Sequence, residues 1–318
     1  MRPRSLPSTS AAVDMSVDLG KLTLRNPVMT ASGTFASGAE YSEFVDLSRL
    51  GALVTKGVSL DPWEGNPSPR IAETPAGMLN SIGLQNPGVD AFIKTDLEAL
   101  AEVDVPVIVN VSGHTVNEYA EVVARLERHG RADAYEINIS CPNVDAGGMA
   151  FGTACAPASQ VLAACRKKTD RMLIAKLSPN VTNVVEIAEA VVEAGADALS
   201  LINTLLGMAV DTDSFKPVLA RGVGGLSGPA IRPVAVRMVW QVASAVDVPV
   251  IGMGGIMTAE NAVEFMLVGA SAISVGTANF VEPHSTVHIV DGLMEFCHAR
   301  GIERASDIVG KLDFSAGE

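Results

Sequence analysis

The segment NISCPNV, residues 138–144, combines the residue types that a general-base site needs. The apolar run before it predicts a strand, and Cys141 would lie on the loop beyond that strand because Pro142 cannot continue a central strand. Asn138 and Asn143 flank the thiol with amides that both donate and accept hydrogen bonds. An isolated free cysteine is more often a buried small hydrophobe. In this setting the pattern favours proton abstraction from a small polar substrate.

Two lysines, Lys56 in VTKG and Lys176 in IAKLS, also follow apolar runs. A lysine at the end of a buried strand is costly unless it meets an anion or a polar ligand. The other predicted strand ends carry polar residues and glycines that a plain structural loop does not require, namely Ser32, Asn110, Asn138, Asn203, Thr204, Gly254, Gly255, Gly276 and Thr277. We therefore expect both lysines to contact a ligand.

Glycine-rich turns follow the last two apolar runs, as IGMGGI and SVGTA. Backbone N–H groups in such turns, with the positive end of a short helix, can hold a phosphate. In closed α/β barrels the phosphate site is often built from the loops after strands seven and eight. No GxGxxG follows an early strand, so the sequence lacks the Rossmann dinucleotide fingerprint.

The strands that position these side chains and glycine turns are predicted from eight short apolar runs that are rich in β-branched residues. They span residues 27–32, 52–56, 106–111, 134–140, 172–178, 197–203, 248–253 and 272–276. Such runs suit parallel strands buried on both faces, and helical patterns such as VNEYAEVVARLERHG, VVEIAEAVVEAG and AENAVEFMLVGA lie between them. Thr258 is a candidate N-cap of the last helix. The count predicts a single-domain α/β fold, a TIM (β/α)8 barrel, with a doubly wound sheet as the alternative.

Composition limits the possible functions. The chain has 318 residues, is 48% hydrophobic and carries a formal net charge of −13, which argues against nucleic-acid binding. Its four cysteines show no CxxC spacing, so we expect no metal or iron–sulfur site held by this chain alone. No apolar run reaches the roughly 18 residues of a membrane span.

The amino-terminal segment MRPRSLPSTSAAV has two arginines but no apolar core after them, so it does not look like a secretory signal. We expect residues 1–14 to be a flexible extension and residues 15–318 to form the barrel domain. The expected location is the cytoplasm.

These motifs carry a family resemblance. From about Val17 to Glu282 the sequence resembles the class 1 dihydroorotate dehydrogenases, which are flavin enzymes of pyrimidine synthesis. The matching segments include NPVMTASGTF, TKGVSLDPWEGNPSPRI, MLNSIGLQNPG, EINISCPNV, AKLSPNVT, GGLSGPAIRP and IGMGGI. The pair MLNSIGLQNPG and NISCPNV is highly specific. The resemblance implies oxidation of dihydroorotate to orotate with bound FMN.

The segment after Cys141, with the GGMAFGT tail, looks like the NAD-linked subclass 1B. That subclass implies a partner subunit that carries FAD and a 2Fe-2S cluster and passes electrons to NAD, around a homodimer of the catalytic chain in a heterotetramer. Two segments depart from the family pattern. FGTACAPAS lacks the acidic residue that usually follows FGT, and DPWEG has tryptophan where arginine is common.

The resemblance also implies roles for matching residues, with Cys141 as the general base. It places around the orotate ring the residues Lys56, Asn80, Ser81, Ile82, Gly83, Leu84, Asn138, Asn143, Asn203 and Thr204. It assigns to the flavin ring Ser32, Lys56, Gly57, Asn110, Asn138, Lys176 and Ile202, and to the ribityl phosphate end Gly228, Gly254, Gly255, Gly276 and Thr277. These residue types suit the chemistry, because a free thiol has a pKa near 8.5 and asparagines match the amide edges of a pyrimidine dione.

Four other functions remain open from the sequence. A fumarate-linked dihydroorotate dehydrogenase would work without a partner. A tRNA-reducing flavin barrel also uses a loop cysteine, but the acidic charge and the lack of a basic helical domain count against it. A phosphate-binding lyase or isomerase barrel would explain the glycine turns but not NISCPNV. A non-catalytic interaction barrel would not require the full set of polar strand ends.

Overall fold

The computed structural model describes residues 13–140 and 151–315. Its central sheet has eight parallel strands: β1 Val28–Thr30, β2 Leu53–Val54, β3 Val107–Val111, β4 Ala134–Asn138, β5 Met172–Lys176, β6 Ala198–Leu201, β7 Val250–Met253 and β8 Ala272–Val275. Their spatial order is β1-β8-β7-β6-β5-β4-β3-β2, and a parallel bridge between Met29 and Ala52 joins the two edge strands. The sheet therefore closes into a barrel. Each predicted run contains one strand, and the predicted barrel is confirmed over the doubly wound sheet.

Helices surround the barrel: α1 Val89–Phe92, which continues as a π-helix over Ile93–Leu97, α2 Val116–His129, α3 Cys155–Arg166, α4 Val184–Glu193, α5 Arg232–Ala243, α6 Ala259–Leu267, α7 Ala278–Val281 and α8 Ser285–Arg300. Short 3-10 turns cover Ala39–Tyr41, Leu47–Arg49, Phe151–Thr153, Pro229–Ile231 and Ala305–Ile308. The three predicted helices are α2, α4 and α6. Thr258 caps α6 as predicted, because its side chain accepts a hydrogen bond from the backbone N–H of Asn261.

Accessory strands that the sequence did not predict lie at the two ends of the barrel. A hairpin of Val17–Asp18 and Thr23–Leu24 packs with the inner core. A four-stranded antiparallel sheet pairs, in order, Leu205–Met208, Val223–Ser227, Gly77–Asn80 and Ile71–Thr74. A further pair joins Val210–Asp211 and Lys216–Pro217. The four-stranded sheet contributes Met78, Asn80 and Gly225 to the cavity described below.

The barrel separates two apolar cores. One lies between strands and helices, and the other lies inside the barrel, where Ile108, Ala134, Ile174 and Ala198 pack with Leu24 of the amino-terminal hairpin. Because side chains two residues apart along a strand share a face, the next inward positions continue toward the carboxyl ends of the strands. The pleat therefore stacks a second layer of side chains on the inner core.

None of the helices in the described ranges combines the length and the apolar character that crossing a membrane requires. Residues 1–12 lie outside the described part of the chain, so the amino-terminal extension stays a prediction. Trp63, the departure in DPWEG, lies partly buried with its ring 4.1 Å from the His114 ring. Ala154, the departure after FGT, is the N-cap residue of α3 and makes no side-chain cap hydrogen bond.

Candidate active site

A cavity of about 670 Å³ lies at the carboxyl ends of the barrel strands, within the roughly 300–1,000 Å³ typical of cofactor and ligand sites. The sequence-predicted residues that line it are Ser32, Lys56, Gly57, Asn80, Ile82, Gly83, Leu84, Asn110, Asn138, Lys176, Ile202, Asn203, Thr204, Gly228, Gly254, Gly255, Gly276 and Thr277. Cys141 and Asn143 lie outside the described residues. The structure therefore brings to one cavity almost every predicted residue that it describes.

Ser81 is the exception. It is buried beside the cavity rather than lining it. The side-chain amide of Asn66 donates to the Ser81 hydroxyl at 3.0 Å and to its carbonyl oxygen at 3.1 Å. The Ser81 side chain thus braces the loop that carries Ile82 and Gly83, and its contact with a substrate stays a prediction.

A buried polar cluster forms the floor of the cavity around Glu136, which the sequence analysis did not single out. Glu136 Oε2 lies 3.3 Å from Lys176 Nζ and accepts from Asn110 Nδ2 at 2.5 Å. Its other oxygen accepts from the Ser200 hydroxyl at 2.7 Å. Lys176 also donates to the Ser32 hydroxyl at 2.9 Å. The signal that could have revealed Glu136 is a carboxylate within the otherwise apolar strand AYEI.

A second polar chain leads from the cavity wall to the end of the described segment before Cys141. The Ser140 hydroxyl donates to Asn138 Oδ1 at 2.7 Å, and Asn203 Nδ2 donates to Ser140 Oγ at 2.5 Å. The Tyr119 hydroxyl donates to the backbone carbonyl of Asn138 at 2.8 Å. These bonds fix the two asparagine amides at the point where the chain leaves β4.

Lys56 also lines the cavity and is partly buried. Burial lowers the pKa of its ammonium from the usual 10.5, and the nearby Arg70 lowers it further, while Asp96 and Glu40 act in the opposite direction. An anionic group bound in the cavity would favour the charged lysine. Lys56 is therefore suited to bind a carboxylate.

Three glycines with left-handed backbone dihedrals bring two loops together at one end of the cavity. Gly228, Gly254 and Gly255 have φ values of +94°, +128° and +74°. A Cβ on Gly255 would lie 2.7 Å from the carbonyl oxygen of Gly228, so only glycine permits this approach. Thr277, before the short helix α7, donates to the Ser227 hydroxyl at 2.8 Å. Exposed backbone amides in such a cradle suit a phosphate group.

The cavity also fits the flat polar part of a cofactor. Asn110 Oδ1 is buried and has no hydrogen-bond partner among the described residues, so it offers an acceptor to a ligand N–H. A Cβ on Gly57 would lie 2.8 Å from that oxygen, so glycine at this position lets the backbone approach the amide closely. Within residues 13–140 and 151–315, no group of three or more His, Cys, Asp or Glu side chains is placed to hold a metal ion.

Comparisons with known proteins agree with this geometry. Residues 14–297 match the protein family described as "Dihydroorotate dehydrogenase". The "Dihydroorotate dehydrogenase B (NAD(+)), catalytic subunit" of Alkaliphilus oremlandii is 58% identical over 299 residues, covering 94% of this chain and 99% of that protein. The protein with the same name in Pelobacter propionicus is also 58% identical, over 300 residues.

Among solved structures, the crystal structure of the Eimeria tenella enzyme titled "DHODH in complex with ferulenol" matches with a TM-score of 0.79 at 24% identity. The match covers 96% of this chain and 91% of that structure, and it supports the barrel fold. The family match and the near-complete alignments with close relatives lead to one conclusion. The chain belongs to the dihydroorotate dehydrogenase family.

Proposed function

We propose that this chain is the catalytic subunit of an NAD-linked dihydroorotate dehydrogenase, which oxidises dihydroorotate to orotate in pyrimidine biosynthesis. The observation that carries the proposal is the convergence of Lys56, Lys176 and four predicted asparagines on one cavity beside a glycine cradle. Two relatives that are 58% identical over nearly their whole length carry the corresponding name. The cavity gives that name a chemical basis.

The substrate binds between Lys56 and the amides. Lys56 attracts the carboxylate of dihydroorotate, and the side chains of Asn80, Asn138 and Asn203 face the alternating donors and acceptors of the ring. Asn138 Oδ1 already accepts from Ser140, which leaves Asn138 Nδ2 as a donor for a ring carbonyl. Leu84 and Gly83, both with positive φ, shape the loop that closes over this position.

Cys141 removes the proton from C5 of the substrate in this proposal. The residue lies outside the described part of the chain, but its covalent neighbour Ser140 contacts both Asn138 and Asn203. Consecutive Cα atoms are about 3.8 Å apart, so this attachment supports a place for the thiol near the substrate. A free thiol has a pKa near 8.5, close enough to neutral for general-base catalysis.

The cofactor that fits the remaining space is FMN, which supplies the acceptor for the hydride from C6 when it is bound. We propose that its ring is held by the lining residues Ser32, Gly57, Asn110, Lys176 and Ile202. We propose that its phosphate is held by the cradle of Gly228, Gly254, Gly255, Gly276 and Thr277. Lys176 contributes a cation to the cavity wall, where it stabilises negative charge that develops on a bound group. Recovering FMN, and not FAD, from the denatured protein is the direct test.

We propose that electrons leave through a second subunit carrying FAD and a 2Fe-2S cluster. The chain has no Rossmann fingerprint and no CxxC motif. The relatives are themselves named catalytic subunits. The test compares NAD reduction by the chain alone with reduction after co-expression with such a subunit, using a dye as the control acceptor. Fast NAD reduction by the isolated chain contradicts the partner, and fast fumarate reduction would assign the chain to the fumarate-linked subclass.

The assembly we propose is a homodimer of this chain with one partner on each copy. A group of large apolar side chains on the strands and turn beyond β6 is solvent-exposed, including Val210 at 56% on a strand and Phe215 at 88% in the turn. Burying such a patch between subunits would be favourable. Light scattering on the purified chain tests the dimer, and a monomer at micromolar concentration contradicts it.

A further inference from the structure

Glu136 is buried beneath the cavity and is not used directly by the proposed chemistry. The residue is almost fully buried and does not line the cavity, whereas Lys176 and Asn110, which it contacts, both do. Strand register explains the arrangement. Glu136 on β4 pairs with Asn110 on β3, while Lys176 on β5 pairs with Asn138, two residues further along β4. Glu136 thus lies beside Asn110 and two residues before the partner of Lys176, and its carboxylate reaches both side chains.

The carboxylate of Glu136 fixes the orientation of the Asn110 amide. An ionised carboxylate can only accept hydrogen bonds, so the Asn110 group that meets it at 2.5 Å must be the NH₂. The carbonyl oxygen of the same amide is then left buried without a partner among the described residues, next to Gly57. The cavity therefore presents an acceptor at this point, and a reversed amide would present a donor.

Glu136 also balances the charge of Lys176. The side chain of Lys176 is 5% exposed and that of Glu136 is 4% exposed, so neither charge is solvated by bulk water. A buried ammonium without a counter-charge is strongly unfavourable. Two of the three ammonium donors bond Glu136 and Ser32, which leaves the third for a ligand in the cavity.

We propose that Glu136 is a positioning residue of the cofactor site, which orients the Asn110 carbonyl toward the ligand and neutralises Lys176 until negative charge arrives on the bound group. The inference rests on the proposed FMN-dependent function. It assigns two measurable properties to one side chain that touches neither substrate nor cofactor. The affinity for FMN depends on its hydrogen bonds, and the midpoint potential of bound FMN depends on its charge.

Two substitutions separate these properties. Glu136→Gln keeps the shape and can present its carbonyl oxygen to Asn110 and Lys176 and its NH₂ to the Ser200 oxygen. The substitution removes only the negative charge of residue 136, so FMN should still bind. The midpoint potential of bound FMN should shift to more positive values, because reduction adds negative charge beside a lysine that has lost its counter-charge. Glu136→Ala also removes the hydrogen bonds, so the FMN dissociation constant should rise by about tenfold or more.

The control is Asp197→Asn, which removes a carboxylate that bonds Arg166 at 2.7 Å just before β6, at the opposite end of the barrel from the cavity. We expect it to lower the unfolding temperature and leave the FMN potential unchanged. Affinity is measured by quenching of FMN fluorescence on titration with apoprotein, and the potential by equilibration with reference dyes.

The outcomes separate the two ideas. A wild-type chain that binds no FMN overturns the proposed function and this inference with it. A wild type that binds FMN, with Glu136→Gln unchanged in potential or Glu136→Ala unchanged in affinity, overturns the inference alone. An equal shift of potential in Asp197→Asn also overturns it, because the effect would then not depend on contact with Lys176.

Discussion

Gly255→Ala tests whether the glycine cradle holds the cofactor phosphate. Gly255 has φ +74°, and its new Cβ would lie 2.7 Å from the Gly228 carbonyl oxygen and 2.9 Å from Arg232 Cβ. A left-handed backbone costs a non-glycine residue roughly 1–2 kcal/mol, and a contact with backbone cannot be relieved by a rotamer change. In the free protein the loop relaxes to avoid this strain. Binding FMN restores the original loop, so we expect affinity to fall about 5- to 30-fold.

The matched control is Gly301→Ala at the end of α8. Gly301 also has a left-handed φ of +66°, but nothing lies within 4 Å of its new Cβ. Gly301→Ala has a similar free-energy cost for its left-handed backbone, so it should lower the unfolding temperature. It should leave the affinity for FMN unchanged. Both variants are compared by fluorescence titration of apoprotein with FMN and by thermal unfolding. If Gly255→Ala binds FMN as tightly as the wild type, while Gly301→Ala shows the expected fall in unfolding temperature, the proposed phosphate cradle is refuted.

Three further predictions follow from the same geometry. Cys141→Ala should leave FMN bound and slow flavin bleaching by dihydroorotate about 10²- to 10⁴-fold in anaerobic stopped flow; an unchanged rate would assign the proton to another group. Burial and Arg70 lower the pKa of Lys56 below 10.5, so the affinity for orotate should fall as the pH rises through that lowered pKa. In spectral titrations over the same pH range, Lys56→Met should bind orotate weakly and independently of pH. Leu24→Ala, a fully buried change in the hairpin that packs with the inner core, should lower the free energy of unfolding by about 2–5 kcal/mol in urea without altering FMN affinity; a large loss of affinity would contradict the separation of the core from the site.

Sequence reasoning predicted the barrel because each of its strands is a short apolar run and because helical patterns lie between them, one of which begins after its N-cap Thr258. It predicted the cavity because residues at strand ends converge in any closed barrel. It missed the accessory sheet, whose strand Leu205–Met208 pairs with Val223–Ser227 and belongs to no regular β/α repeat. The sequence alone did not reveal Glu136, because a pattern of residue types does not show which carboxylate forms an ion pair with a buried lysine on the neighbouring strand.

Inside the barrel, each of the four neighbouring strands β3 to β6 carries an apolar residue and, two residues later on the same face, a polar one. The four pairs are Ile108 and Asn110, Ala134 and Glu136, Ile174 and Lys176, and Ala198 and Ser200. The lower layer is favourable through burial of apolar surface, whereas the upper layer is stable only while its members bond one another. Those bonds fix each polar side chain in one orientation, which is the property that a cofactor site requires. The closed sheet itself therefore sets the spacing of the donors and acceptors in this layer.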